Sequence, residues 1–213
     1  MPTPNRLPSG STVFLSGLVL GTVSYVISEF LIPGNFSSPG DHDIFLATRL
    51  GFVYAPLVGA WIGWLQRSWL RIVAGVIVGI GVGVIYMFLC PSRNFLAIMV
   101  GFPTLLGGLL AVVLASNRSP WLKEVGARLG KGLLAGFVLG LVYMVVLNLT
   151  GAMFMGPNEF AADFKQTYVH MMWRSGPIAL GLSSGLFLVL LRWAVGLSRV
   201  KMVFEAVDTN TAG

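Results

Sequence analysis

Charged side chains are scarce in this 213-residue chain. Asp, Glu, Lys and Arg make up 10% of the residues, against about 25% in soluble domains. Apolar residues make up 55%, more than the core of a soluble globule of this size can hide. A lipid bilayer is the solvent in which such a composition is stable. The sequence therefore predicts an integral membrane protein with lipid as its first partner.

Cysteine and catalytic motifs are also nearly absent. The single cysteine, Cys90, excludes an intrachain disulfide. The signatures of zinc proteases, nucleophile elbows and phosphate-binding loops do not occur, so we expect no enzymatic activity, no catalytic residue and no cofactor. The net charge of +6 sits mainly at the ends of apolar runs. This placement indicates membrane topology rather than nucleic-acid binding.

Long apolar runs dominate what is present. Six of them can cross about 30 Å of hydrocarbon at about 1.5 Å per residue, which predicts an all-α, polytopic membrane bundle. The first run has no cleavage site after it and is expected to be a retained helix. A tight turn is expected between the second and third runs. The predicted spans are about 11–32, 45–66, 69–90, 95–116, 129–150 and 171–197.

The transmembrane domain is expected to cover residues 11–198 and to include one further helix between the fifth and sixth spans. An apolar stripe at helical spacing predicts a short helix over about 158–170 on the outer interface. Residues 1–10 and 199–213 are polar and are expected to be mobile tails. Of the basic residues, ten fall on one side of the predicted bundle and four on the other. The positive-inside rule then predicts cytoplasmic termini, and we expect a bacterial inner membrane.

Glycine and proline recur in a pattern that predicts three tandem two-helix hairpins. The motif G-x-x-x-G-x-x-Y-M occurs in the third and fifth runs, and a near match occurs in the first. The even-numbered runs share glycine with Pro56, Pro103 or Pro177. Glycine, leucine and valine are common in membrane helices, so chance matches are the alternative. The motif glycines are expected to pack helices within the bundle or to form a homo-oligomer contact: Gly17, Gly21, Gly79, Gly83, Gly136 and Gly140.

Ionisable residues inside predicted spans are candidates for function. Glu29, Arg49 and Arg174 fall at one depth near the outer ends of the first, second and sixth runs. They can form an ion-paired clasp or an outward-facing site for an anionic or polar ligand. The arginines can also snorkel to the headgroups. Five polar residues are candidates for lining a cavity in the same half, or for hydrogen bonding between helices: Tyr25, Ser28, Tyr86, Tyr143 and Asn148.

The two histidines, His42 and His170, are weak candidates for an outer metal site. Methionines lie near His170 in sequence, and thioether and imidazole groups bind soft metals. Their spacing matches no metal motif, so we predict no metal site.

Two functions fit these features. The first is a small transporter, permease or channel-like protein with a polar site in the outer half of the bundle. The alternative is a non-catalytic accessory or assembly subunit of a larger membrane complex, because the loops are short and the GxxxG faces can pack against a partner. A transporter requires Glu29 and an arginine to line a solvent-connected cavity. A tightly packed, dry site would favour the accessory subunit.

Overall fold

The structure is a computed structural model that describes residues 8–31, 50–89, 97–115, 122–154 and 164–195. Within these ranges the chain is all-helical, with six helices and no strand. Two helices, α2 and α4, begin with one π turn, at Leu50–Tyr54 and Ala97–Gly101 respectively. The helices are α1 (Gly10–Leu31), α2 (Leu50–Leu65), α3 (Trp69–Leu89), α4 (Ala97–Gly101 and Phe102–Val113), α5 (Leu122–Phe154) and α6 (Phe164–Ala194).

Three helices are long and apolar enough to cross a membrane: α1, residues Glu124–Met153 of α5, and residues Arg174–Ala194 of α6. The apolar stretches of α2, α3 and α4 are shorter within the described residues. The ends predicted for these spans at residues 45–49, 90, 95–96 and 116 fall outside the described ranges. Six helices at the predicted places are therefore observed, whereas six spans remain a prediction.

The six helices form a closed ring in chain order, because α6 packs against α1. The most extensive contacts join α2 to α3, α4 to α5, α5 to α6, and α6 to α1. Across the ring, α6 also touches α4 and is hydrogen bonded to α2. The core at the centre is apolar and includes the fully buried side chains of Tyr54, Phe102, Leu110, Phe187 and Leu188.

The two π turns have a local cause in the sequence. Pro56 and Pro103 stand in the first turn of the α-helical parts of α2 and α4. A proline has no N–H, so the carbonyl four residues earlier loses its α-helical donor. That carbonyl can take the next N–H along the chain, which is the hydrogen bond of a π turn. The prolines of α2 and α4 thus account for the π turns that precede them.

Two boundaries differ from the predicted ones. Helix α5 begins at Leu122, although charged residues suggested a loop up to residue 128. Glu124 and Arg128, at i and i+4, form an ion pair of 3.1 Å that suits the extra turns. Residues 164–170 are continuous with α6 and are not a separate interfacial helix. Residues 164–175 contain no glycine or proline, so nothing in the backbone ends the helix between residue 170 and Gly176.

The expected turn between α2 and α3 is present at residues 66–68, where Arg67 has φ of 51°. The tightest glycine contacts lie in pairs α2–α3, α4–α5 and α1–α6. Each of these pairs joins helices from two different predicted hairpins, since the predicted hairpins are 1–2, 3–4 and 5–6. Tandem triplication therefore stays a prediction, and the predicted tails lie almost wholly outside the described residues.

Candidate functional site

Backbone-to-backbone contacts hold the helix pairs together, and all six glycines singled out in the sequence take part. A Cβ on Gly79 would overlap the backbone of Ala55 and Pro56, and one on Gly136 would overlap Pro103. Gly83 lies against Gly51, and Gly140 lies against Met99. Small residues permit this approach, which lipid-embedded helices need because no hydrophobic effect drives them together.

The α2–α3 and α4–α5 pairs use glycines at the same spacing. Helix α3 presents Gly75, Gly79 and Gly83, and helix α5 presents Gly132, Gly136 and Gly140. In both sets the middle glycine lies against the proline-containing turn of the partner helix, and the first lies against a partner glycine, Gly59 or Gly107. The contacts therefore match the sequence pattern shared by the third and fifth runs.

The third pair, α1–α6, has a glycine contact at each end and a hydrogen bond between them. Gly17 lies against Ser184 and Gly185, while the ring of Tyr25 fills the space over Gly176. The hydroxyl of Thr22 donates to the carbonyl of Pro177 at 3.2 Å. These contacts fix the antiparallel register of the two helices.

That register brings two of the three candidate charged residues to one level. It carries Glu29 to the level of residues 172–173, next to Arg174 in sequence. Glu29 is partly buried and Arg174 is exposed, and each already has an interaction partner. Arg49 lies outside the described residues. The end of the α1–α6 pair at which α1 ends therefore carries both an acidic and a basic residue, and that this end faces outward stays a prediction.

Buried hydroxyls connect helices in the interior. Ser184 and Tyr54 are hydrogen bonded at 2.9 Å, which links α6 to α2, and both side chains are almost fully buried. Ser183 and Ser24 donate to carbonyls of their own helices, Ala179 and Leu20. A hydroxyl without a partner in hydrocarbon costs free energy, so these bonds make small polar side chains tolerable in the core.

A small cavity lies at the centre of the ring, where the two π turns face α5 and α6. It offers about 10 Å³ of space, roughly enough for one water molecule. Its walls are apolar except for two tyrosines, and neither Glu29 nor Arg174 lines it. Its lining consists of Leu50, Tyr54, Met99, Phe102, Pro103, Leu139, Tyr143 and Leu180.

The five residues predicted to line a cavity lie in different surroundings. Tyr143 lines the central cavity, and Tyr25 and Ser28 are buried on α1. Ser28 donates to the Tyr25 carbonyl at 2.6 Å. Asn148 is exposed and donates to the Met144 carbonyl of its own helix at 2.7 Å. The side chain of Tyr86 lies outside the described part of the chain.

The histidine hypothesis falls on residues whose side chains the structure does not describe, His42 and His170. Among the described side chains, no three His, Cys, Asp or Glu residues come together as a metal site would require. The absence of a metal site at these histidines stays a prediction.

Polar side chains also organise the opposite end of the bundle, where α1 begins and α6 ends. Gln66, in the turn after α2, donates to the carbonyl of Leu114 at the end of α4 and accepts from Arg71. Arg192 is 8% exposed and donates to the Pro8 carbonyl at 2.5 Å. We call this end the basic end, because its described charges are Arg67, Arg71, Arg128, Lys131 and Arg192 against Glu124.

Sequence reasoning missed Tyr54 and the Ser183–Ser184 pair. Serine and tyrosine at isolated positions carry no pattern that distinguishes a buried link between helices from an interfacial residue. A signal for the cavity was present, however, because Pro56 and Pro103 predict disturbed backbone at the level where it lies.

Comparisons with protein-family models, with curated proteins and with solved structures found no match to this chain. What the protein does is therefore inferred from its own residues.

Proposed function

We propose that this chain is a small membrane transport protein, permease-like or channel-like, whose pathway is closed in this structure. The observation that carries the proposal is the position of the central cavity. It lies where the π turns of α2 and α4 meet α5 and α6. Four helices therefore converge on one small space, as helices do around a closed pathway.

The backbone at this level is suited to movement. A π turn is held by hydrogen bonds of wider spacing than an α turn, and such turns occur frequently at functional sites. Helix α6, which also lines the cavity, carries Pro177 three residues before Leu180. Irregular backbone at membrane depth is tolerated where it is enclosed by protein. A shift at these three places would widen the cavity.

Glu29 and Arg174 do not line the central cavity, so the requirement that they line a solvent-connected cavity is not met in this closed form. We propose instead that they stand at the entrance to the pathway. Glu29 and Arg174 lie at one level, about one helical turn beyond Tyr25, which covers Gly176. An arginine there would attract an anionic or polar ligand, with Glu29 as its partner or as a proton carrier. Arg49 is the third member of this proposed entrance. An ion-paired clasp of the same residues would favour a static bundle instead.

Cysteine accessibility tests the pathway directly. In a Cys90→Ser background, Leu139→Cys places a thiol in the cavity wall, and Leu188→Cys places one in the core away from it. We expect a charged, membrane-impermeant thiol reagent to modify Leu139→Cys at least about tenfold faster in proteoliposomes. That ratio means that the free energy needed to open the structure is about 1.4 kcal/mol lower at the cavity than in the rest of the core. Equal, negligible modification of both thiols would contradict a pathway.

The accessory or assembly subunit remains the second candidate, and the glycine contacts favour it. Backbone touches backbone in three helix pairs, which leaves little room for the helices to slide. Gentle detergent extraction followed by identification of co-purifying chains distinguishes the two functions. A stable complex with other membrane proteins would favour the accessory subunit. Purification as a lone monomer or homo-oligomer would favour the transporter.

The setting of this function is proposed with it. We place the protein in a bacterial inner membrane, with six spans and both termini in the cytoplasm, on the strength of the basic end described above. The matching glycine spacing of α3 and α5 supports an origin from repeated hairpins.

A further inference from the structure

Lys131 lies at the basic end of α5 beside an aromatic ring of α6. Its ammonium is 4.5 Å from the centre of the Trp193 ring, which is the distance of a cation–π contact. Among the described residues no carboxylate pairs with it, because Glu124 pairs with Arg128 at 3.1 Å. A cation therefore stands at this place without a counter-ion from the described chain.

The surrounding charge makes an external anion favourable. The described side chains of the basic end include five cations and one carboxylate. Arg192, next to Trp193 in sequence, is held in place by its hydrogen bond to the Pro8 carbonyl. Its charge is fixed within the bundle and adds to the local positive potential, which falls off over about 8–10 Å in physiological salt.

The depth of Lys131 matches the headgroup region of a bilayer. Trp64, Trp69 and Trp193 are exposed at the basic end, and exposed tryptophans mark the interface between hydrocarbon and water. Contact with Trp193 sets Lys131 at that level. Gly126 and Gly130 lie on the same helix and have open space around them. The surface of α5 beside Lys131 is therefore not crowded.

We propose that Lys131 and Trp193 form a binding site for the phosphate-bearing headgroup of an anionic phospholipid. The ammonium would bind the phosphate oxygens, and the indole N–H is a further donor at headgroup level. A lipid is favoured over a soluble phosphate because the pair lies on two helices that are long and apolar enough to span a membrane. The site does not depend on whether the chain transports anything.

Native mass spectrometry of the detergent-solubilised chain tests the proposal. Phosphatidylglycerol and phosphatidylcholine share the phosphate but differ in net charge, so their titration separates charge from general lipid binding. We expect phosphatidylglycerol to bind more tightly, and Lys131→Ala to weaken it about fivefold, the contribution of one basic residue at an anionic membrane surface. Lys131→Arg should keep the preference. Lys165→Ala, at the other end of α6, removes the same charge and should leave binding unchanged.

Three outcomes would overturn the proposal. One is unchanged phosphatidylglycerol binding in Lys131→Ala, and another is an equal loss in Lys165→Ala. The third is competition by millimolar glycerol phosphate, which would mean that a soluble phosphate compound is the ligand. Lys131→Met, which keeps most of the apolar stem, serves if the alanine variant does not fold. A loss of lipid preference alongside normal Leu139→Cys modification would separate this site from the transport proposal.

Discussion

Single glycines decide how closely the helices of this bundle can approach. Gly79 and Gly81 stand two residues apart on α3, yet they meet opposite surroundings. A Cβ on Gly79 would overlap the backbone of Ala55 and Pro56, whereas a Cβ on Gly81 would meet nothing within 4 Å. Backbone cannot move aside as a flexible side chain can, so the two positions should respond to the same substitution with opposite signs.

We therefore expect Gly79→Ala to lower the free energy of unfolding by about 1–3 kcal/mol or more, because 1–3 kcal/mol is the usual cost of overpacking. Gly81→Ala should leave it unchanged or raise it by up to about 1 kcal/mol, because alanine favours a helix over glycine. Thermal unfolding of both variants in the same detergent measures the difference. Similar stabilities for the two variants would mean that α2 and α3 do not pack as described.

A second prediction at this scale concerns the hydroxyl pair of α2 and α6. Tyr54→Phe removes one hydroxyl and leaves the partner Ser184 bonded only to the Leu180 carbonyl. We expect the free energy of unfolding to fall by about 0.5–1.5 kcal/mol, which is the net contribution of one such hydrogen bond. Tyr54→Phe combined with Ser184→Ala should cost less than the sum of the two single changes. Additive losses in thermal unfolding would show that the hydroxyls do not interact.

At the scale of the helix, the long apolar runs of the sequence located all six elements but not their ends. Helix α5 begins before the predicted span, and its first turns contain the ion pair of Glu124 and Arg128. Charged residues are not part of an apolar run, so the sequence did not assign these turns to the helix. The π turns were not predictable, because Pro56 and Pro103 announce a disturbed backbone without saying which form it takes. The neighbouring helix packs against the same turn, as at Gly136, which lies against Pro103.

The junction of helix ends at Gln66 carries a prediction of its own. Its side chain joins the α2–α3 turn to the last carbonyls of α4 and accepts from Arg71. Gln66→Ala should lower the unfolding free energy by about 1–3 kcal/mol, since two partners lose a hydrogen bond. Asn148→Ala is the matched control, because that exposed amide bonds only its own helix. An equal effect in the two variants would count against a tie between α4 and the turn.

For the whole molecule, the level shared by Glu29 and Arg174 was predictable from residue counts, because helical rise is fixed at about 1.5 Å per residue. The pairing of helices was not, since GxxxG faces are alike and any two can combine. The sequence pattern suggested hairpins 1–2, 3–4 and 5–6, while the tight glycine contacts join α2 to α3, α4 to α5, and α6 to α1. Such ring closure depends on contacts between the two ends of the chain.

The ring also bears on the predicted number of membrane crossings, which is six. Neighbouring helices run antiparallel, and α1, α5 and α6 are each long enough to span. Leu50–Leu65 of α2 covers only 16 residues, about 24 Å against roughly 30 Å of hydrocarbon. The few residues that it lacks would come from the segment containing Arg49, which would then lie in the membrane.

Six crossings require both termini on one side of the membrane, and an odd number requires them on opposite sides. We expect a green fluorescent reporter to fluoresce at either end of the chain, because the positive-inside rule predicts that the basic end faces the cytoplasm. Alkaline phosphatase, which needs export for activity, should be inactive at both ends. Fused after residue 154, where α5 ends at the opposite face, it should be active. A signal from opposite sides for the two termini would mean that one of α2, α3 or α4 does not cross, and the entrance proposed at Arg49 would then lose its place.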